Sequence, residues 1–61
     1  MNYYEYHIQT NTANGWEGDP ITGNLSKRND AKYMKKVKPG KRLVLYVKDE
    51  DKELSDIITI K

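Results

Sequence analysis

The chain has 61 residues, of which 36% are hydrophobic and 33% are charged, and its formal net charge is +2. This length fits a single domain, residues 1–61, with little room for a deep substrate pocket. Because cysteine is absent, disulfides, thiolate metal sites and a cysteine nucleophile are excluded.

The first segment, YYEYHIQT, alternates between two faces. Tyr4, Tyr6 and Ile8 fall on one face, where we expect them to pack in the core. The period of two, with aromatic and β-branched residues, predicts a strand over residues 2–11. His7 lies on the other, polar face and is expected to be half-exposed.

A hairpin turn is predicted next, because Asn14-Gly15 is a strong signal for one. The arm after the turn, residues 16–22, contains a glycine and a proline, so the sequence leaves open whether it forms a strand. Trp16 is the largest apolar side chain, and we expect it to close the small core as a lid.

An amphipathic helix is predicted over residues 25–38. Ser26 or Asn29 can cap its N-terminus, and Asp30 lies in the first turn, where the helix dipole favours an acid. The narrow apolar stripe consists of Ala31, Met34 and Val37. A Pro-Gly pair then ends the helix.

Two strands follow the helix. KRLVLYVK, residues 41–48, is apolar on both faces and is expected to be central, and LSDIITIK forms the last strand. The short polar turn between them predicts an antiparallel hairpin.

The element order β-(β)-α-β-β predicts an α+β fold with two layers. One amphipathic helix would cover a three- or four-stranded, mostly antiparallel sheet. A right-handed crossover through the helix would make the first strand parallel to the strand at 41–48.

Charge is unevenly distributed. Residues 27–42 contain eight basic residues and one acid, a net of +7, whereas the remaining residues have a net of −5. A broad basic side of the helix would suit docking on nucleic acid or on an acidic or nucleoprotein surface. The predicted partner-binding residues are Lys32, Tyr33, Lys35, Lys36, Lys38 and Arg42. Tyr33 is expected to be an exposed ring beside the lysines.

Two observations limit this interpretation. A lysine-rich helix face also serves simply to solvate a small domain, and the sequence leaves that alternative open. Lysines outnumber arginines nine to two. Because arginine reads bases and phosphates better, this ratio argues against sequence-specific recognition.

A secondary acidic surface is predicted at the turn between the last two strands. It consists of Asp49, Glu50, Asp51 and Glu53. The turn lacks the glycine and the distant glutamate of a calcium loop, so we expect no metal. His7 is the single histidine, and no nucleophile or phosphate-loop motif accompanies it. We therefore expect a non-enzymatic binding protein without a cofactor.

In outline, the chain resembles small bacteriophage proteins, including some anti-CRISPR inhibitors. The resemblance covers an aromatic first strand, a glycine-rich loop, a basic helix and a C-terminal hairpin. It implies an alternative function as an inhibitor of a host or defence complex, with either charged surface as the contact. A third hypothesis is a subunit that self-associates, as a homodimer, through a strand edge.

Localisation is predicted from what the sequence lacks. It has no signal-peptide pattern and no apolar run near the ~20 residues that span a bilayer. We therefore expect a cytoplasmic protein without membrane contact, in a bacterial host if it is phage-encoded.

Overall fold

The computed structural model describes residues 2–61 and is dominated by one antiparallel sheet. The elements are β1 (Tyr3–Thr12), β2 (Gly15–Glu17), α1 (Asp30–Met34), β3 (Lys41–Lys48) and β4 (Leu54–Thr59). The strand order across the curled sheet is β2-β1-β3-β4, and every neighbouring pair is antiparallel. No helix within the described residues has the length and apolar character needed to cross a membrane.

The predicted α+β fold, with a helix packed over the sheet, is wrong. The helix expected over residues 25–38 has only five residues, a length of about 7.5 Å. At the N-terminal end the cause is a tertiary contact, because Leu25 exchanges two backbone hydrogen bonds with Tyr4, of 2.7 and 3.1 Å. These bonds hold Leu25 in extended backbone beside β1 and remove the first turn of the predicted helix.

The predicted parallel arrangement of the first strand and β3 is also wrong. These strands are antiparallel, with Tyr3 opposite Lys48 and Thr10 opposite Lys41. The segment at 15–25 runs back along the edge of β1 before the chain crosses the sheet. Extended chain therefore runs back alongside β1, whereas the prediction had a helix make this return.

The hairpin predicted at Asn14-Gly15 is confirmed. Gly15 has a φ of +106°, which a side chain would disfavour, and β2 pairs with the end of β1. The arm is three residues long. Beyond it, Gly18 lies so close to β1 that a Cβ atom would collide with the backbone oxygen of Ile8.

The core lies on one face of the sheet, which we call the core face. Its buried residues are Tyr6, Tyr33, Leu43, Leu45 and Val47. Residues 26–40, which we call the cover, cross this face and contribute Tyr33, whose ring centroid lies 4.6 Å from that of Tyr6. The prediction that Tyr33 is an exposed ring is therefore wrong, because only 7% of it is accessible.

The opposite face of the sheet, which we call the second face, carries polar and aromatic pairs. His7 stacks on Tyr46 with ring centroids 4.1 Å apart, and Arg42 lies 4.5 Å from the ring of Trp16. Two predictions fail here. His7 is buried rather than half-exposed, and Trp16 is 39% exposed rather than a lid on the core. Pairing with Asn11 places Trp16 away from the core face.

Candidate functional site

The cover carries five exposed lysines, which we call the basic surface. It consists of Lys27, Lys32, Lys35, Lys36 and Lys38. None of these five ammonium groups forms a salt bridge with a carboxylate anywhere in residues 2–61. Their charge is therefore available to an external anion.

Arg28 lies among these lysines but is already neutralised. Its guanidinium donates to both carboxylate oxygens of Asp30, at 2.6 and 3.4 Å. This contact lowers the pKa of Asp30 against the opposing effect of burial, with help from the hydroxyl of Tyr6. The cover therefore owes its excess positive charge to lysine.

A hydrogen-bonded contact fixes the start of α1 to the sheet. The Tyr6 hydroxyl donates to Asp30 at 2.6 Å and accepts from the backbone N–H of Asn29 at 2.7 Å. Burial raises the pKa of Tyr6, and the bond to Asp30 raises it further. Because the ring of Tyr6 is buried in the core, this contact sets the position of the basic surface on the sheet.

Tyr33 positions two of the lysines from below. The ammonium groups of Lys32 and Lys36 each lie 5.6 Å from the centroid of its ring. Since the ring is buried, it offers no stacking surface to a nucleobase. Its place in the site is beneath the cations.

A cleft of about 210 Å³ opens within the basic surface. It is lined by Leu25, Ser26, Lys27, Asn29, Lys32 and Tyr33. Asn29 is the N-cap of α1, yet its side chain makes no capping hydrogen bond. The cleft is smaller than the ~300–1,000 Å³ of most small-molecule pockets, and its lysines suit a compact anion.

The sequence predictions missed four of the six residues that line this cleft, namely Leu25, Ser26, Lys27 and Asn29. Lys27 stands in the basic run but was not among the predicted binding residues, and Ser26 and Asn29 were interpreted as possible helix caps. The basic run was itself a signal for Lys27, whereas Ser26 and Asn29 gave none, because the sequence predicted that they cap a long helix.

Arg42 is separated from the basic surface. Its Nε donates to Gln9 at 2.8 Å, and its guanidinium lies over Trp16 on the second face. The predicted patch that continued from the helix lysines to Arg42 is therefore interrupted by the sheet itself. Lys32, Lys35, Lys36 and Lys38 are exposed on the cover, and two of them, Lys32 and Lys36, lie over the same Tyr33 ring.

The predicted acidic surface forms a tight turn in which one acid is structural. The Asp49 carboxylate accepts the backbone N–H groups of Asp51 and Glu53, at 2.9 and 3.0 Å. Lys52 adopts a left-handed φ of +62° within this turn. Asp49 thus shapes the turn, and Glu50, Asp51 and Glu53 are exposed around it.

Neither a metal site nor a similarity to known proteins adds to this description of the cover. Across residues 2–61, no group of three His, Cys, Asp or Glu side chains is placed to hold a metal ion. The chain matches no family model, and no curated protein or solved structure is significantly similar to it. The charges and contacts of the cover are therefore the features of the molecule that bear on its function.

Proposed function

We propose that this protein binds nucleic acid through the basic surface, without sequence specificity. The observation that supports this function is the set of five lysines on the cover that have no carboxylate partner among the described residues. Lysine is a mobile point charge that contacts phosphates, whereas arginine and amide side chains read base edges. Such contacts hold a nucleic acid without selecting its sequence.

The cleft gives this surface a place for one phosphate group. Lys27 and Lys32 supply positive charge there, and Ser26 supplies a hydroxyl donor. The nearby carboxylate of Asp30 opposes an anion only weakly, because Arg28 binds both of its oxygens. The remaining lysines of the basic surface then contact neighbouring phosphates along the backbone.

This mechanism makes affinity strongly dependent on salt. Five phosphate contacts predict a slope of about −4.5 for the logarithm of affinity against the logarithm of salt concentration on duplex DNA. Between about 50 and about 200 mM salt, affinity should fall roughly 500-fold. Duplexes of different sequence should share the same slope.

A matched pair of charge reversals tests the location of the site. Lys35→Glu and Lys52→Glu change the net charge equally, but Lys35 lies on the basic surface and Lys52 lies in the acidic turn. Fluorescence anisotropy with a labelled duplex should show weaker binding and a shallower salt slope for Lys35→Glu. Lys52→Glu should bind nearly as the parent protein does.

Two results would contradict the proposal. Equal loss in both variants would mean that net charge alone matters and that the cover holds no site. Tight binding of polyglutamate without binding of any oligonucleotide would indicate an acidic protein partner, as an inhibitor of a host complex would have.

A further inference from the structure

The cleft within the basic surface differs in shape from the rest of that surface. Lys27 and Lys32 line it, whereas Lys35, Lys36 and Lys38 are exposed on the cover outside it. A phosphate inside a nucleic-acid strand is linked to sugars on two sides, and both links must leave through the mouth of a cleft. A phosphate at the end of a strand has a single link. A concave site of about 210 Å³ therefore admits an end phosphate more readily than an internal one.

The cleft offers hydrogen-bond donors that the fold does not use. The Asn29 side chain forms no capping bond, and the Ser26 hydroxyl has no hydrogen-bond partner among residues 2–61. The backbone N–H of Asn29, in contrast, already donates to the Tyr6 hydroxyl at 2.7 Å. Donation to a ligand in the cleft therefore comes from side chains, namely those of Ser26, Lys27, Asn29 and Lys32.

The charge of the cleft matches a phosphate monoester. An end phosphate carries a charge of about −1.5 to −2 near pH 7 and has three oxygens that accept hydrogen bonds. Lys27 and Lys32 supply two positive charges, and neither forms a salt bridge within the described chain. An internal phosphate carries one negative charge, so it would balance only one of these two lysines.

The walls of the cleft strengthen this match. Leu25 and Tyr33 give the cleft apolar sides, and low-dielectric walls strengthen the attraction between charges inside a cleft. Arg28 binds both carboxylate oxygens of Asp30, and the Tyr6 hydroxyl donates to the same group, so the negative charge of Asp30 is largely compensated. The cleft thus combines two cations with apolar walls.

We propose that the cleft binds the terminal phosphate of a nucleic acid, so that the protein prefers phosphorylated ends to ends that carry a hydroxyl. This inference rests on the proposed function, because the other lysines of the basic surface then contact the phosphates that lead away from the end. The group recognised is a phosphate monoester, which a 5′ end or a 3′ end can carry.

Competition measured by fluorescence anisotropy tests this preference. One short duplex sequence is prepared with hydroxyl ends, with 5′-phosphates or with 3′-phosphates, and each form displaces the same labelled duplex. We expect at least one phosphorylated form to bind roughly tenfold more tightly than the hydroxyl form, because the end phosphate adds charge-assisted hydrogen bonds. A duplex that is one base pair longer and has hydroxyl ends is the control for added charge, and it should bind as the hydroxyl form does.

Substitutions inside and outside the cleft test where the end phosphate binds. Ser26→Ala and Asn29→Ala should each reduce the ratio of the two affinities, phosphorylated over hydroxyl, to about threefold or less. Asn24→Ala is the matched control, because Asn24 is exposed and does not line the cleft, and it should keep the parent ratio. Lys35→Glu should weaken binding of both forms and leave the ratio unchanged. Since both affinities are measured on the same protein, a loss of folded fraction does not alter the ratio.

The outcomes separate this inference from the proposed function. Equal affinity for all three duplex forms, with binding still weakened by Lys35→Glu, would overturn the end-phosphate site and leave the proposed function intact. A preference that persists in both Ser26→Ala and Asn29→Ala would put the end phosphate outside the cleft and would also overturn the inference. Binding to no duplex in any form would overturn both.

Discussion

The sheet and the cover are held in place by different means. β1 and β3 pair over eight consecutive residues, and β4 continues the sheet from β3. The cover contains one short helix. It is fixed by Tyr33, Met34 and Val37 packed against the core, and by the hydrogen bonds between Tyr6, Asn29 and Asp30. The sheet is held by regular strand pairing, whereas the cover is held by the contacts of a few side chains.

This difference shows how a chain of this size can carry a strong local charge. The five lysines of the basic surface are on the cover, where their side chains are exposed. The buried ladder residues, such as Leu43 and Leu45, are apolar. Charge on the cover can therefore change without changing the sheet, and the following predictions test that separation in order of expected effect on stability.

Gly18→Ala should have the largest effect. A Cβ atom there would collide with the backbone oxygen of Ile8 and lie 2.8 Å from the Cα of Gln9, so the segment must move away from β1. We expect a loss of about 2–3 kcal/mol or more in the free energy of unfolding, measured by urea denaturation. Gly23→Ala is the control, because nothing lies within 4 Å of a Cβ there. Equal stability of the two variants would contradict the close packing at Gly18.

Asp30→Ala should rank second. It removes the acceptor of the Tyr6 hydroxyl, which lies on a fully buried ring, and should cost about 1–3 kcal/mol. Asp30→Asn retains an oxygen acceptor and should cost less. In a Tyr6→Phe background, Asp30→Ala should lose most of its effect, and simple additivity of the two substitutions would show that the contact does not hold the cover.

Acid should destabilise the fold by protonating two carboxylates. One is Asp30, in the contact with Tyr6, and the other is Glu5, on the second face. Arg28 lowers the pKa of Asp30 below its ordinary 3.8. Burial raises the pKa of Glu5, but hydrogen bonds from His7 and Lys48 outweigh it and hold the pKa below 4.5. Because both pKa values are lower in the folded state, the stabilisation is complete above these ordinary values and is lost as pH falls through the lowered ones.

Urea titrations at a series of pH values measure this dependence. The free energy of unfolding should change little between about pH 7 and about pH 5 and fall below that range. Asp30→Asn should make the decline shallower. A decline that is unchanged in this variant would mean that Asp30 makes no contribution to acid sensitivity.

Lys35→Glu should have the smallest effect on stability. Its side chain is exposed and forms no salt bridge within the described chain, so the free energy of unfolding should change by less than about 0.5 kcal/mol. The same variant should clearly weaken nucleic-acid binding. Strong destabilisation by Lys35→Glu would show that the charge of the cover and the packing of the sheet are not separable.

Much of the sheet could be predicted from the sequence because its signals are local. The alternation in YYEYHIQT and KRLVLYVK predicted two strands correctly, and Asn14-Gly15 predicted the first turn. The cover could not be predicted because a tertiary contact decides it. The backbone bonds between Leu25 and Tyr4 extend a segment whose composition favours a helix, and a helix this short gains little from propensity alone.

The basic surface was partly predictable from composition, but two of its proposed members were not placed correctly. Tyr33 was expected outside because the predicted apolar stripe ran through Ala31; in α1 it is Tyr33 that faces the core, and Ala31 is exposed. Arg42 is different, because its position was readable from the alternation in β3. Leu43 must face the core, so its neighbour Arg42 must face away from the cover.

Amide chemical-shift mapping during titration with a duplex tests the central claim most directly. If the cover is the binding site, the largest changes in chemical shift should occur at residues 26–38 and saturate together. These changes should become smaller as the salt concentration rises. Shifts confined to the second face, around Trp16 and Tyr46, or no shifts at low salt, would contradict it.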